Sequence, residues 1–300
     1  MADLMLLLPD FVLIALGFVL CRYTPLDQAL WQAVERLVYF VLFPMLLFFA
    51  IAKAPLQPGA VLPLAGAGVG LAVLGVVLAY ALVRLPGVDA KLHASGAQVA
   101  FRFNTYIALA MAERLAGADG VAWMALLVAL CVPLCNVAAV WPLARHGEQG
   151  YLMALVRNPL ILATVGGLAF NLAGLTLPEL LATTLQRVGS AALPLGLMAV
   201  GAGLRLGALR ASPGLAAGLL GIRHAVLPLA GVALALGLNL PPAQQAVLVL
   251  WASVPTATSA YVLAVRMGGH GAFVAGLVTL STLLALPVMP AALALLAALR

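Results

Sequence analysis

The sequence predicts an all-α polytopic membrane protein, ten transmembrane helices in two inverted five-helix repeats, and three observations carry that prediction. Hydrophobic residues make up 65% of the 300 and charged residues only 8%, whereas a soluble domain holds about 25% charged residues. Ten apolar runs lie between the charges and turn residues, each close to the roughly 20 residues that cross about 30 Å of hydrocarbon. A single shift lays Pro9, Gly17 and Pro44 onto Pro159, Gly167 and Pro194.

The first run, 6–21, is expected to stay in place, because Met1 to Leu4 holds Asp3 and no basic residue, unlike a cleavable signal. Runs follow at 31–52, 60–83, 93–113 and 121–144, closing the first half. The second half holds runs at 152–172, 179–204, 213–237, 243–265 and 271–299. Too little chain remains between them for a soluble catalytic or regulatory domain.

Basic residues sort by side. With the N-terminus outside, Arg22, Arg36, Arg84, Lys91, Arg145, Arg157, Arg205, Arg210 and Arg266 fall at cytoplasmic ends, and Lys53, Arg114, Arg187 and Arg300 fall outside. That asymmetry predicts N-out and C-out topology by the positive-inside rule. The net charge of +6 therefore calls for no nucleic-acid partner. Cys21, Cys131 and Cys135 are an odd number in apolar surroundings, which suits packing better than metal binding or a disulfide. The pairs Gly66/Gly70, Gly203/Gly207 and Gly214/Gly218 have the small-xxx-small spacing of closely packed helices.

The common shift divides the chain into a first repeat over 1–150 and a second over 151–300. It also lays Ala122-Trp123 on Ala272-Phe273, and the Leu85-Pro86-Gly87 turn near the Asn239 to Pro242 turn. An odd number of spans per half inverts the second relative to the first, and such folds place their site at mid-membrane on locally broken helices. Helices four and nine fit that description. Helix nine carries Ser253, Pro255, Thr256, Thr258 and Ser259 at its middle, where a proline frees a carbonyl. Helix four carries Arg102, Asn104, Thr105 and Tyr106 at the corresponding depth.

Polar groups in hydrocarbon are costly and usually face a cavity. Gln98, Arg102 and Thr105 follow helical spacing and predict one polar stripe, and Ser253, Thr256 and Ser259 predict another. Arg102 lies far from either end of its run, too deep to snorkel. Arg223 and His224 are similarly deep in helix eight, as anion contacts, a coupling group, or as structural residues with Arg223 holding half-helix carbonyls. Asn136 in helix five is a further polar centre. Asp10, Glu35, Glu113, Glu148 and Glu179 fall near the ends of runs, so these bases lack an acidic partner at their depth. Guanidinium suits carboxylate or phosphate, which makes an anionic substrate the expected counter-ion.

The segments Leu37 to Phe48 (LVYFVLFPMLLF), Ala100 to Tyr106 (AFRFNTY), Arg157 to Gly174 (RNPLILATVGGLAFNLAG), Ala192 to Leu204 (ALPLGLMAVGAGL) and Ser253 to Ala264 (SVPTATSAYVLA) together resemble the auxin efflux carrier family, in its bacterial PIN-like and malonate-permease-like branch. The resemblance implies helices four and nine that cross as broken helices, and a homodimer that works by an elevator motion. It matches Asn104 to the family's crossover asparagine and Pro255 to the crossover proline. Tyr106 to Met111 lacks the glycine and proline usual in relatives, so helix four is expected to break less sharply. Thr256 and Ser259 stand where relatives often carry a second proline and an asparagine.

The reading is a secondary carrier of a small organic anion, a carboxylate, in a bacterial inner membrane, with no cofactor, metal or nucleic acid. No Walker or dinucleotide fingerprint is present, against an ATP-driven pump. A channel or transport-derived sensor on the same fold is the alternative. An intramembrane enzyme using His224, Asn104 or Glu113 is a third reading, but no metal motif, Gly-x-Ser-x-Gly or paired carboxylates support it. His224 is the one interior group that ordinarily titrates near neutral pH, so any coupling ion is expected to be a proton.

Overall fold

A computed structural model describes residues 2–53, 58–144, 159–204 and 212–300, and every regular element among them is helical. Arg145, Glu148, Arg157, Arg205, Gly207 and Arg210, which entered the charge and glycine patterns, lie outside the described residues, as does the start of the 152–172 run. Five segments are long and apolar enough to cross a membrane: Gln28–Lys53, Val61–Arg84, Ala90–Leu143, Pro213–Gly237 and Gly271–Leu299. Phe11–Tyr23 and Leu162–Leu172 are shorter apolar helices.

The first half begins with α1 (Ala2–Tyr23) and α2 (Gln28–Leu37). Asp27 caps α2 by accepting the Leu30 N–H at 3.0 Å, which satisfies one of the free amides of a helix start. A π-turn (Val38–Leu42) leads into α3 (Phe43–Lys53). Helix α4 (Pro58–Ala81) ends in a tighter turn at Leu82–Arg84. Asp89, capping through the Leu92 N–H at 2.7 Å, starts α5 (Ala90–Gly96), followed by α6 (Gln98–Phe101) and α7 (Thr105–Ala144).

At 1.5 Å per residue, Ala90–Leu143 is far longer than one crossing, and it folds back. Ala116 and Gly117 leave helical geometry, with Gly117 at φ +57°, a region open to glycine at little steric cost. Beyond that corner the chain returns until the Cys135 thiol donates to the Phe101 carbonyl at 3.4 Å.

The second half holds α8 (Pro159–Leu172), α9 (Glu179–Ser190), α10 (Ala192–Ala202) and α11 (Pro213–Gly221). A second π-turn, Ile222–Val226, connects to α12 (Leu227–Gly237), and α13 (Pro242–Ser253), α14 (Ser259–Arg266) and α15 (Gly271–Leu299) complete the chain. The turn before α13 has Asn239 at φ +48°, and the turn before α5 has Gly87 at φ +73°.

The helices pack in two groups. One joins α1, α2, α3, α8, α9 and α10; the other joins α4 to α7 with α11 to α15. The groups meet mainly where α7 crosses α3 and α10. Close packing falls only in part where the glycine spacing predicted: a Cβ on Gly218 would stand 3.0 Å from the Leu82 side chain, but one on Gly66, Gly70 or Gly214 would meet nothing within 4 Å, and the tightest packing lies elsewhere. It falls at Gly17, whose missing Cβ makes room for the Met198 backbone, and at Gly167, where a Cβ would stand 3.0 Å from the Phe48 carbonyl oxygen. Gly201 likewise admits the Ile14 carbonyl. The first packing group thus contains both α1 against α10 and α3 against α8, each closed on a glycine.

Candidate functional site

Both central helices are broken. Residues 102–104 separate α6 from α7, and 254–258 separate α13 from α14. The two extended pieces are joined by the Asn104 N–H, which donates to the Pro255 carbonyl at 2.8 Å. The expectation of a weak break in helix four is corrected, and the reason is local. Arg102 is extended (φ −74°, ψ 147°), and the Asn104 side-chain oxygen accepts from the N–H groups of Tyr106 and Ile107 at 3.0 and 3.1 Å. Asn104 therefore caps the new helix, and no proline is needed.

The breaks also correct the two polar stripes, since helical spacing does not run through 102–104 or 254–258. Gln98, fully buried, donates to the carbonyls of Ser95 at 3.1 Å and Ala260 at 3.2 Å. Its oxygen accepts from Arg102 at 2.8 Å, and the same guanidinium donates to the Ser259 hydroxyl at 3.0 Å. Arg102 thus bridges the two broken helices. Ser253 turns back to the Val249 carbonyl at 2.6 Å. Thr256 is buried and donates its N–H to the Ser281 hydroxyl at 2.9 Å.

In front of the crossover lies a cavity of about 340 Å³, within the range of small-molecule sites. Arg102, Asn104, Thr105, Ser259 and Asn136 line it, joined by Thr258 and Cys135. Thr105 and Ser259 open α7 and α14, so two positive helix ends border the space, which favours an anion. The opposite wall belongs to α2 and the turn after it: Glu35, Arg36, Tyr39 and Phe40. The Phe43 and Tyr106 rings stack across the two groups, centroids 4.8 Å apart.

Gln98 and Pro255 stand behind this lining, while Ser253 and Thr256 are enclosed. Arg223 and His224 lie outside the lining as well. Arg223 is fully buried and donates to the carbonyls of Val254 at 2.7 Å and Trp251 at 2.9 Å. A cation at the carbonyl end of α13 is electrostatically well placed, which explains how it is held without an acid. The ring of His224 meets the Ser281 hydroxyl at 2.8 Å, and neither residue lines the cavity. Buried orphan atoms remain here: Asn104 Nδ2, Arg223 Nη1, His224 Nδ1 and Thr256 Oγ1 have no partner among the described residues.

Glu35 departs from its expected place near the end of the run at 31–52: it sits two turns into a helix that starts at Gln28. The Asp27 cap was the available signal, and Glu35 and Tyr39 at i, i+4 share a face. Among the described residues there is no His, Cys, Asp and Glu group able to hold a metal ion.

Five long apolar helices among the described residues, together with two broken helices that meet at one polar crossover, define a multi-pass membrane protein. Residues 144–293 match the membrane transport protein family, and the chain belongs to that family, the auxin efflux carrier and PIN-like group. No curated protein matches the chain.

Proposed function

We propose that this protein is a secondary carrier of a small organic anion, a carboxylate, moved by an elevator-like alternating-access mechanism. The observation that carries the reading is the bridge of Arg102 from one broken helix to Ser259 on the other, at the wall of the crossover cavity. A guanidinium already pointed at a hydroxyl and flanked by two helix starts can exchange neighbours with an incoming carboxylate. Asn104 would fix the crossover, Thr105 and Ser259 would offer hydroxyls, and Asn136 an amide. Pro255, Thr256, Ser253 and Gln98 would act from behind by holding these groups in place.

The inverted two-repeat reading draws support from paired contacts. Gly17 receives Met198 and Gly167 receives Phe48, and each pair becomes the other when the first half is laid on the second. In the topology expected from the basic residues, the crossover cavity opens to the cytoplasm, since Glu35 and Arg36 lie toward the Arg22 end. A second cleft, with Glu113, Arg114 and Ser190 on its walls, lies beside the Ala116–Gly117 corner of α7, away from the crossover and again between the two packing groups. Two clefts on opposite ends of one contact surface fit a sliding motion of the crossover group. The proposal extends to a homodimer in a bacterial inner membrane with both termini outside.

A thermal-stability screen of purified protein against small organic acids tests the reading. A ligand at about 100 times its dissociation constant adds about 2.7 kcal/mol, enough to see. Stabilisation by acids is expected; indifference to every acid, with stabilisation by amines or sugars, would remove it.

A further inference from the structure

We infer that the cargo is a zwitterion, a small carboxylate that also carries an ammonium group, with Glu35 receiving the ammonium. The inference rests on the carboxylate-carrier reading and deepens it. Glu35 is half-buried on the cavity wall, and its carboxylate has no hydrogen bond or ion pair among the described residues. That is unexpected for an acid whose cavity also holds Arg36 and Arg102. The Arg36 guanidinium instead donates to the Gln32 carbonyl at 3.3 Å, and Arg102 to Gln98 and Ser259. The acid and the base are held apart, each by its own helix group, with the cavity between them.

Their depths agree. Phe43 and Tyr106 stack and so stand level. Glu35 precedes Phe43 by about 12 Å of helix at 1.5 Å per residue. Arg102 precedes Tyr106 by a mainly extended stretch of roughly 11 Å at about 3.3 Å per residue. In the proposed topology both segments run the same way, so the two charges face each other at one level. An uncompensated carboxylate in such a space repels a simple anion and attracts a cation; an arginine opposite does the reverse. A cargo with both charges satisfies each wall, and a cavity of about 340 Å³ has room for a short amino acid. Tyr39 and Phe40 then cover its apolar body.

Matched triads of propionate, β-alanine and propylamine, and of butyrate, 4-aminobutyrate and butylamine, test this on the purified full chain by thermal stabilisation. The amino acids are expected to act at concentrations about tenfold below their parent acids, the scale of one additional charge-assisted pair. Glu35→Gln should erase that advantage, with the plain acids binding more tightly than to the wild type because the carboxylate that repels them is gone, and Glu35→Asp should fall between. Wild-type protein that prefers the plain acids, or a Glu35→Gln protein that keeps the tenfold preference, overturns the inference and leaves the carboxylate reading standing. If neither acids nor amino acids stabilise the wild type, the carboxylate reading itself fails and this inference with it.

Discussion

Asn104 and Pro255 meet backbone to backbone, the amide of one donating to the carbonyl of the other at 2.8 Å. Each comes from the middle of a broken helix, so the contact closes two otherwise unsatisfied polar groups inside the membrane. It also brings Arg102 within 3.0 Å of Ser259. Asn104 contributes twice, since its side chain caps α7.

Asn104→Ala should therefore lower stability by about 1 kcal/mol, the usual value of a lost cap, and reduce transport by more than that loss of folded protein explains. Pro255→Ala leaves the accepting carbonyl in place and should keep the protein folded while impairing transport. Thermal melts and uptake on the same preparations separate the two effects. Normal transport in both variants would take the site away from the crossover.

Arg102 and Arg223 should respond in opposite ways. Arg102→Gln is expected to fold and lose anion binding, and Arg102→Lys to keep weakened binding, because lysine carries the charge without the planar fork. Arg223→Met strips the donors from the Trp251 and Val254 carbonyls, and each stranded polar group costs about 1–3 kcal/mol. Loss of folded protein in Arg223→Met, with unchanged ligand affinity in what remains, is the expected pattern. A well-folded Arg223→Met protein without affinity would return that residue to the site.

Glycine substitutions test the packing. Gly201→Ala should be severely destabilising, because a Cβ there overlaps the Ile14 carbonyl. Gly66→Ala meets open space and should raise helix stability by up to about 1 kcal/mol. Equal effects at the two positions would contradict the arrangement of α1 against α10.

Much of the fold was legible because hydrocarbon leaves few choices: long apolar runs must be helices, and their ends are marked by charges. The location of the breaks was legible too, since Asn104, Thr105 and Pro255 are polar or helix-breaking residues amid apolar sequence. What failed was helical periodicity carried across those breaks. Gln98 and Arg102 do touch, but Thr105 begins another helix. Gly66 and Gly70 misled because spacing says nothing about which face meets a neighbour. Glu35 was missed because a hydropathy edge at 31 was read as the helix start, when Asp27 had already capped it at Gln28.

Topology follows from the same charges. A reporter fused after Arg300 should signal outside, and one within 145–150 inside. Cytoplasmic signal from the first with external signal from the second would reverse the orientation and turn the crossover cavity outward.

Counterflow in proteoliposomes tests the carrier claim most directly. Vesicles loaded with an unlabelled acid found in the stability screen should take up the labelled acid saturably and faster than empty vesicles, and Arg102→Gln vesicles carrying equal folded protein should not. Uptake that rises linearly with concentration, gains nothing from internal acid, or proceeds equally through Arg102→Gln would contradict a carrier with its site at the crossover.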